Sequence, residues 1–437
     1  MRGFILGFGL FLVGTNALAA DWYVSTKGSN ENDGSKTAPL SEIDKAFDRA
    51  KDGDVVHVAE GTYLGRGKTA AAEARVAVSV LGGYTDDFSG ERDPVKHPTI
   101  LSGDNTAKGL HSARPRLRIR AKTGDVKVDG LIFDMGPRNA YSKGDKAVVR
   151  SANPRTGKNA SLDSPTLVVE TGGKSEISRC VVVNSTHTGI VVRAGRGGVR
   201  VHHNWVVNTA GIGMELLSST FGKDSPTIVA DHNSILFTWK YDAFGTRGGE
   251  GISVGSGAKV TLQHNLIVGS DKYGIANGRF NKELKILDNR FSDNLVADYW
   301  EGDLYLKANE LGDAKSVGET KRNTRVVVTL NPDAAWLKKY AARKLLDRNK
   351  IEAGISAPDT LSNRLRSLLG MNLRAADVAI DAEMHAPPYP FASARMTPKT
   401  DVGAGAAAGG KEGAKEAVAA EPTDDTAPEP AAEPESE

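Results

Sequence analysis

Between positions 177 and 300 short apolar runs alternate with polar turns in a phrase that returns five times. It reads Ile177-Ser-Arg-Cys180-Val-Val, Val201-His-His-Asn204-Trp-Val, Val229-Ala-Asp-His-Asn233-Ser-Ile, Leu262-Gln-His-Asn265-Leu-Ile and Ile286-Leu-Asp-Asn289-Arg-Phe. The anchors Cys180, Asn204, Asn233, Asn265 and Asn289 stand 24, 29, 32 and 24 residues apart. A loose period of this length marks a solenoid, in which each repeat buries its apolar face only against its neighbours. Runs rich in Val and Ile with period-two alternation, broken by Gly, Asn, Ser and Asp, predict strand–turn–strand units rather than helices. Stacked in parallel, such strands lie about 4.8 Å apart. An Asn at one turn position of each unit then forms a ladder of side-chain amides from coil to coil. The pattern predicts an all-β fold, a parallel β-helix.

The flanks read differently. Residues 41–51 predict a short amphipathic helix with Ile43, Ala46, Phe47 and Ala50 on one face. Laid over the open end of a β-helix, such a helix covers strand edges that would otherwise invite aggregation. In residues 136–165 the coil pattern lapses, and Arg138, Lys143, Lys146, Arg150, Arg155 and Lys158 face only Asp145 and Asp163. That insertion reads as a solvated loop or as a ligand clamp. After Trp300 the coils fade, with a last strand expected over 326–330 and helices over 333–348 and 359–370.

The first 20 residues carry Arg2, an apolar run over 3–13 and Ala17-Leu-Ala19, the grammar of a secretory signal peptide. The run falls short of the ~20 residues of a membrane span. The expected organisation is a signal peptide (1–20), a β-helix domain (21–398, core repeats about 99–300, helical additions about 331–370) and a tail (399–437). The expected location is secreted or periplasmic, and the expected state is a monomer. The single cysteine, Cys180, allows no intramolecular disulfide. It takes the place of the ladder Asn, which predicts a buried residue and not a nucleophile.

Charge is uneven. The tail holds three Lys against ten Asp and Glu, about −7, so a chain of net charge +2 has a body near +9. The tail lacks aromatic residues and is expected to be disordered. The basic body suits an acidic partner, or is plain surface solvation. Export argues against nucleic acid.

The order Tyr23-Val-Ser, Asp33-Gly-Ser, Ala38-Pro-Leu, helix, Gly53-Asp-Val-Val and Gly61-Thr-Tyr63 resembles the N-terminal cap and first coil of secreted right-handed parallel β-helix proteins of the pectate-lyase-like superfamily. Leu81-Gly-Gly-Tyr84 with Arg92-Asp-Pro, residues 98–104, and Val126-Lys-Val-Asp-Gly-Leu-Ile-Phe133 resemble further coils of that group. The resemblance covers roughly residues 22–300. It implies the full fold, a right-handed parallel β-helix solenoid with an N-terminal helix cap and short C-terminal helices. It says little about activity, since one architecture hosts many chemistries.

Each anchored strand leads into a turn ending Gly-Ile: Thr188-Gly189-Ile190, Ala210-Gly211-Ile212, Glu250-Gly251-Ile252 and Tyr273-Gly274-Ile275. On the strands that follow, the outward residues read Val191, Gly213, Ser253 and Ala276, all small, which predicts a shallow trough suited to a polymer. Its rims hold His187, Glu250, Lys272 and Tyr273 on one side, and Arg193 and Glu215 on the other. Cutting a uronic-acid polymer by β-elimination needs a cation to neutralise the carboxylate, a base and an acid. Lys272, Arg193 or Arg247 fits the base or neutraliser, and Tyr273 the acid. Hydrolysis needs two carboxylates instead, for which Glu215 and Glu250 are the candidates. Trp239, Tyr241 and Phe244 in the Gly-rich insertion before Glu250 offer rings for sugar stacking, with Ser253 and His187 as further contacts. The bland alternative makes Arg193 and Glu215 a surface ion pair contributing ~0–1 kcal/mol.

Gly249-Glu-Gly-Ile-Ser-Val-Gly-Ser256 resembles the Gly-His-Gly-Ile-Ser-Ile-Gly-Ser phrase of polygalacturonases, with Glu250 in place of the histidine. It also resembles the Glu-x-Ile-Ser-x-Lys-Ser phrase of calcium-dependent alginate and dermatan lyases, with Gly255 at the lysine. Neither specific activity carries over. His203, His232 and His264 precede the ladder Asn and should stack, pointing alike instead of converging on a metal. No metal site is expected. Ca²⁺ is the one cofactor a lyase would call for, and Asn30-Glu-Asn-Asp-Gly34 reads more simply as a turn. Two functions stand: a carbohydrate-active enzyme, foremost a polysaccharide lyase (a glycoside hydrolase otherwise) on an acidic polysaccharide, and a non-catalytic exported β-helix binding cell-surface glycan.

Overall fold

In the computed structural model, residues 19–65, 71–101, 115–134, 165–183, 185, 187–209, 211–219, 225–238, 248–270, 272–292, 294 and 296–326 are described. Among them the strands form three sheets of ten, nine and nine members. Every strand pairing is parallel except one at the C-terminal end, Ala297–Glu301 with Leu304–Leu306. The path repeats itself. One coil runs through Ser175–Ser178 in sheet 1, Val181–Val183 in sheet 2 and Thr188–Ala194 in sheet 3. The next runs through Val199–His202, Trp205–Thr209 and Ile212–Ser218, each strand pairing with its counterpart below. This is a parallel β-helix, and the near-universal hand of parallel crossovers makes it right-handed.

Period-two alternation fills the tube. In sheet 1, Val128, Ile177, Val201, Ala230, Leu262 and Ile286 occupy one register file, all fully buried. At the turn into sheet 2, six residues adopt the left-handed conformation: Arg179, His203, His232, His264, Asp288 and Arg322, with φ of 50–56°. Each turns the following residue into the core, and there the ladder forms. Asn204 Nδ2 donates to Asn233 Oδ1 at 3.0 Å and to the Ile177 carbonyl at 2.9 Å. The same bonds recur from Asn233 to Asn265, from Asn265 to Asn289 and from Asn289 to Asn323. The ladder thus runs one coil beyond the five phrases, to Asn323. The strands Glu319–Lys321 and Thr324–Arg325 add that coil after Trp300, where the sequence pattern fades. Cys180 begins the ladder: it is fully buried, and its N–H donates to Asn204 Oδ1 at 2.9 Å. Burial pushes its thiol up to about 12, consistent with an inert residue.

Helix α1, expected over 41–51, spans Ile43–Arg49. It sends Ile43, Ala46 and Phe47 into the core and packs on Asp21–Val24, Val55–Ala59 and Ala72–Ala74, strands at the N-terminal edge of sheets 1 and 3. The turn over 30–34 is built by local bonds, Asn32 Nδ2 to the Pro39 carbonyl and the Ser35 N–H to Asp33 Oδ1. The signal peptide apart from 19–20, the insertion apart from Pro165, the expected strand apart from Val326, the C-terminal helices and the acidic tail lie outside the described residues. Among the described residues no helix is long and apolar enough to cross a membrane.

Candidate functional site

The outer face of sheet 3 carries most of the side chains singled out by sequence, in a different arrangement. Its core-facing file is Leu117, Leu167, Ile190, Met214, Ile252, Ile275 and Tyr299. One residue further on, the outward file is Arg118, Val168, Val191, Glu215, Ser253, Ala276 and Trp300. Gly213 is therefore not in the trough, and Glu215 moves from the rim to its centre. Ile190 pairs with Met214, not with Ile212, because the true repeat is Ile212-Gly213-Met214 and Gly211-Ile212 imitates it two residues early. Gly213 belongs with Gly189, Gly251 and Gly274. A Cβ at any of the four would lie 2.5–2.7 Å from the next coil's carbonyl oxygen and 2.6–2.9 Å from Val206, Ile235, Ile267 or Phe291 of sheet 2. These glycines are required where the corner brings backbone against core.

The residues before the glycines, Thr188, Ile212, Glu250 and Tyr273, stand on the opposite side of the chain. Glu250 is only 5% exposed, which removes it from the open rim where the sequence placed it. Of the two carboxylates the sequence offered for hydrolysis, only Glu215 is then presented at the centre of this face. Tyr273 follows on the next strand, its ring stacked on Trp300 at 4.9 Å and 12°. Burial, then Tyr305 and Glu250, pushes its phenol up to about 12, so it stays protonated at neutral pH. The Lys272 ammonium lies 5.9 Å from the centre of the same ring. His187, at the start of the Thr188–Ala194 strand, pairs its Nδ1 with Thr188 Oγ1 at 2.8 Å. Ser253 is half-buried beside Glu215 in the central file. Arg193 is half-buried one file across, opposite Leu217, so it is a diagonal neighbour of Glu215. Trp239, Tyr241, Phe244 and Arg247 lie outside the described residues.

Several side chains on this face escaped the sequence reading, among them Glu73 opposite Arg118 and Glu170 opposite Arg193. Arg118 and Arg120 project from Leu117–Ala121, with Arg120 Nε 3.0 Å from Glu170. Trp300 and Tyr305 face each other across the antiparallel pair at the far end. The Leu-Arg-Ile-Arg alternation of 117–120 was a readable signal for Arg118 and Arg120. The face is thus of mixed charge toward one end, where Glu73 stands opposite Arg118 and Glu170 lies between Arg120 and Arg193, acidic at Glu215, and aromatic toward the other end. Two grooves of about 310 and 480 Å³ lie elsewhere, one beside α1 and one on sheet 1 between Lys127, Lys174 and Arg200.

The histidines stack as expected. His203 and His232 are 5.0 Å apart at 3°, His232 and His264 4.8 Å apart at 18°. His202 Nδ1 meets His203 Nδ1 at 2.9 Å, and His232 Nδ1 meets Asp231 Oδ2 at 3.0 Å. Burial and the neighbouring imidazoles hold His203 down to about 4. Burial raises the Asp231 carboxyl, but bonds from His232 and Arg200 outweigh it and hold the group below the usual carboxylate range. Among the described residues no group of three or more His, Cys, Asp or Glu is arranged to hold a metal ion.

The chain is a right-handed parallel β-helix protein, as its strand registers show. A family model described as a protein of unknown function, DUF1565, matches residues 26–69, the stretch that includes α1 and the first coil's strands in sheets 1 and 2. No curated protein matches the chain in sequence. Among solved structures, pectate lyase Pel9A is similar at 11% identity and a TM-score of 0.34, over 88% of this chain and 96% of that one. XylC in complex with xylose is similar at 10% identity and a TM-score of 0.26, over 79% and 81%. The architecture rests on the strand registers and not on these likenesses.

Proposed function

We propose that the chain binds an extended acidic polysaccharide along the outer face of sheet 3 and cleaves it by β-elimination. The observation that carries this reading is the outward file itself. It crosses seven strands, about 29 Å at the usual strand spacing, from Arg118 through Glu215 and Ser253 to Trp300. A face of that length suits a polymer, and Arg118, Arg120 and Arg193 suit its carboxylates. In the cleavage step Lys272, adjacent to Tyr273, neutralises the uronate or takes the C5 proton, while Arg193, three strands away, holds the carboxylate of another sugar of the polymer. Tyr273 donates to the leaving oxygen from the protonated state in which its surroundings hold it. Ser253 and His187 contribute hydrogen bonds to the sugar.

A second reading, glycan binding without cleavage, is favoured by one observation. Glu250 is buried, so the central carboxylate pair the sequence offered for hydrolysis is not presented together on the face. Ultraviolet absorbance with pectate, alginate, chondroitin and heparan-type polymers, with and without Ca²⁺, separates the two. Rising absorbance from an unsaturated uronate, lost in Tyr273→Phe while binding persists, is the expected result for a lyase. A flat trace with retained binding leaves the binder, and a flat trace without binding rejects both.

A further inference from the structure

Sheet 3 does not end as it begins. Its last parallel strand, Ala297–Glu301, is followed by the antiparallel strand Leu304–Leu306, which sets Tyr305 opposite Trp300. Tyr273 stacks on Trp300 and lies 5.9 Å from Tyr305 between ring centres. Phe280 joins them through Gly302, where a Cβ would come within 3.1 Å of its ring. A Cβ on Gly278 would lie 2.7 Å from the Trp300 ring. Gly278 has no left-handed backbone to demand a glycine, so its smallness answers to the tryptophan.

Phe280 is exposed where Phe88, the other left-handed phenylalanine among the described residues, is buried. Phe280 holds φ at 52°, where a bulky side chain is a steric outlier, and leaves its ring 52% exposed. Tyr305, across the pair from Trp300, is 51% exposed. The turn itself is held within the chain. The Phe280 N–H donates to the Asn277 carbonyl at 2.9 Å, and the buried Asn281 that follows donates through Nδ2 to the Gly255 and Ala258 carbonyls. The exposed aromatic surface has no such offset. Exposed aromatic surface at the end of the outward file is the mark of a binding surface.

We propose that Trp300, Tyr305 and Phe280 form a stacking subsite for one pyranose ring at the C-terminal end of this face, an inference that rests on the polysaccharide reading above. The occupant follows from the chemistry. A pyranose is apolar on its C–H faces and polar at its rim. Here aromatic rings are fringed by the Tyr305 and Tyr273 hydroxyls and the Lys272 ammonium. The subsite also continues the file Glu215, Ser253, Ala276, Trp300, so a sugar chain lying along it reaches the rings without turning. The face then has a direction: carboxylates are read near Arg118 and Arg193, and a ring face is read at Trp300.

The full chain titrated with oligosaccharides of its polymer, followed by tryptophan fluorescence, tests this through Phe280→Gly and Tyr305→Ala. Phe280→Gly should raise the melting temperature by relieving strain and yet weaken binding about tenfold, the scale of one aromatic contact. Tyr305→Ala should weaken binding similarly at unchanged melting temperature. A lower melting temperature with unchanged affinity in Phe280→Gly would make the ring structural and overturn the subsite. So would a dimer in sedimentation that Tyr305→Ala dissociates at unchanged affinity. Binding that survives both changes but falls in Arg193→Ala overturns the subsite and leaves the binding face standing. No binding by the unaltered chain removes both.

Discussion

At the scale of single residues, the left-handed file of Arg179, His203, His232, His264, Asp288 and Arg322 explains both the ladder and an acid sensitivity. The backbone strain at each is offset because the next residue then satisfies buried amides above and below it. The three imidazoles are stacked as a result, and burial together with the neighbouring imidazole holds His203 and His264 below the ordinary range. Facing them are Glu176, Arg200, His202 and Asp231 from sheet 1 and its turn, and Asp288, Arg290 and Arg322 from later coils. His203 titrates near 4 in the fold, against about 6.5 in an unfolded chain. The folded chain therefore binds fewer protons in that window. Stability is fully present above about pH 6.5 and is lost as pH falls toward 4. Asp129 and Asp231, held below the ordinary carboxylate range, lose their contribution only at still lower pH. Melting temperatures measured from pH 7.5 to 4 should fall less steeply in His203→Asn, since Asn tolerates the same φ and does not titrate. Equal slopes would show that the stack has no part in acid sensitivity.

At the scale of elements, the glycine file fixes where sheet 2 turns into sheet 3. In Gly251→Ala the new methyl would sit 2.6 Å from the Gly274 carbonyl oxygen and 2.6 Å from Ile267. A backbone atom cannot yield as a flexible side chain can, so the change should destabilise by about 1–3 kcal/mol. Gly312, in the 3-10 helix Ala308–Asp313, is the control. A methyl there meets nothing within 4 Å, so Gly312→Ala should be neutral or stabilise by up to about 1 kcal/mol in urea denaturation. A loss at Gly312 as large as at Gly251 would sink the steric account. The same file shows what a sequence can and cannot tell. The Asn anchors were legible because a buried amide ladder tolerates one residue type at one position. The outward face was legible only in its parity. Gly211-Ile212 copies Gly189-Ile190 in letters, but a shift of two residues preserves alternation while moving Glu215 into the trough. Burial of Glu250 was hidden for a related reason: its exposure depends on what lies over the strand, which its own alternation does not encode.

At the scale of the molecule, charge distribution makes a claim that no single site makes. The body carries about +9 and residues 399–437 about −7. If the body attracts an acidic polysaccharide through its net positive charge, the acidic segment competes for the same attraction, because both are polyanions. Removing 399–437 should therefore tighten binding of an acidic polymer several-fold at low salt. The gain should vanish by about 0.5 M salt, where the screening length falls to a few ångströms. Arg193→Ala behaves differently at high salt. A carboxylate held by direct hydrogen bonds persists where long-range attraction does not, so this variant should remain weaker than the unaltered chain at both salt levels. Affinity measured for the full chain, the shortened chain and Arg193→Ala across salt separates the field of the molecule from the contact at the face. A shortened chain that binds no better at low salt would mean that the acidic segment does not compete for the basic body.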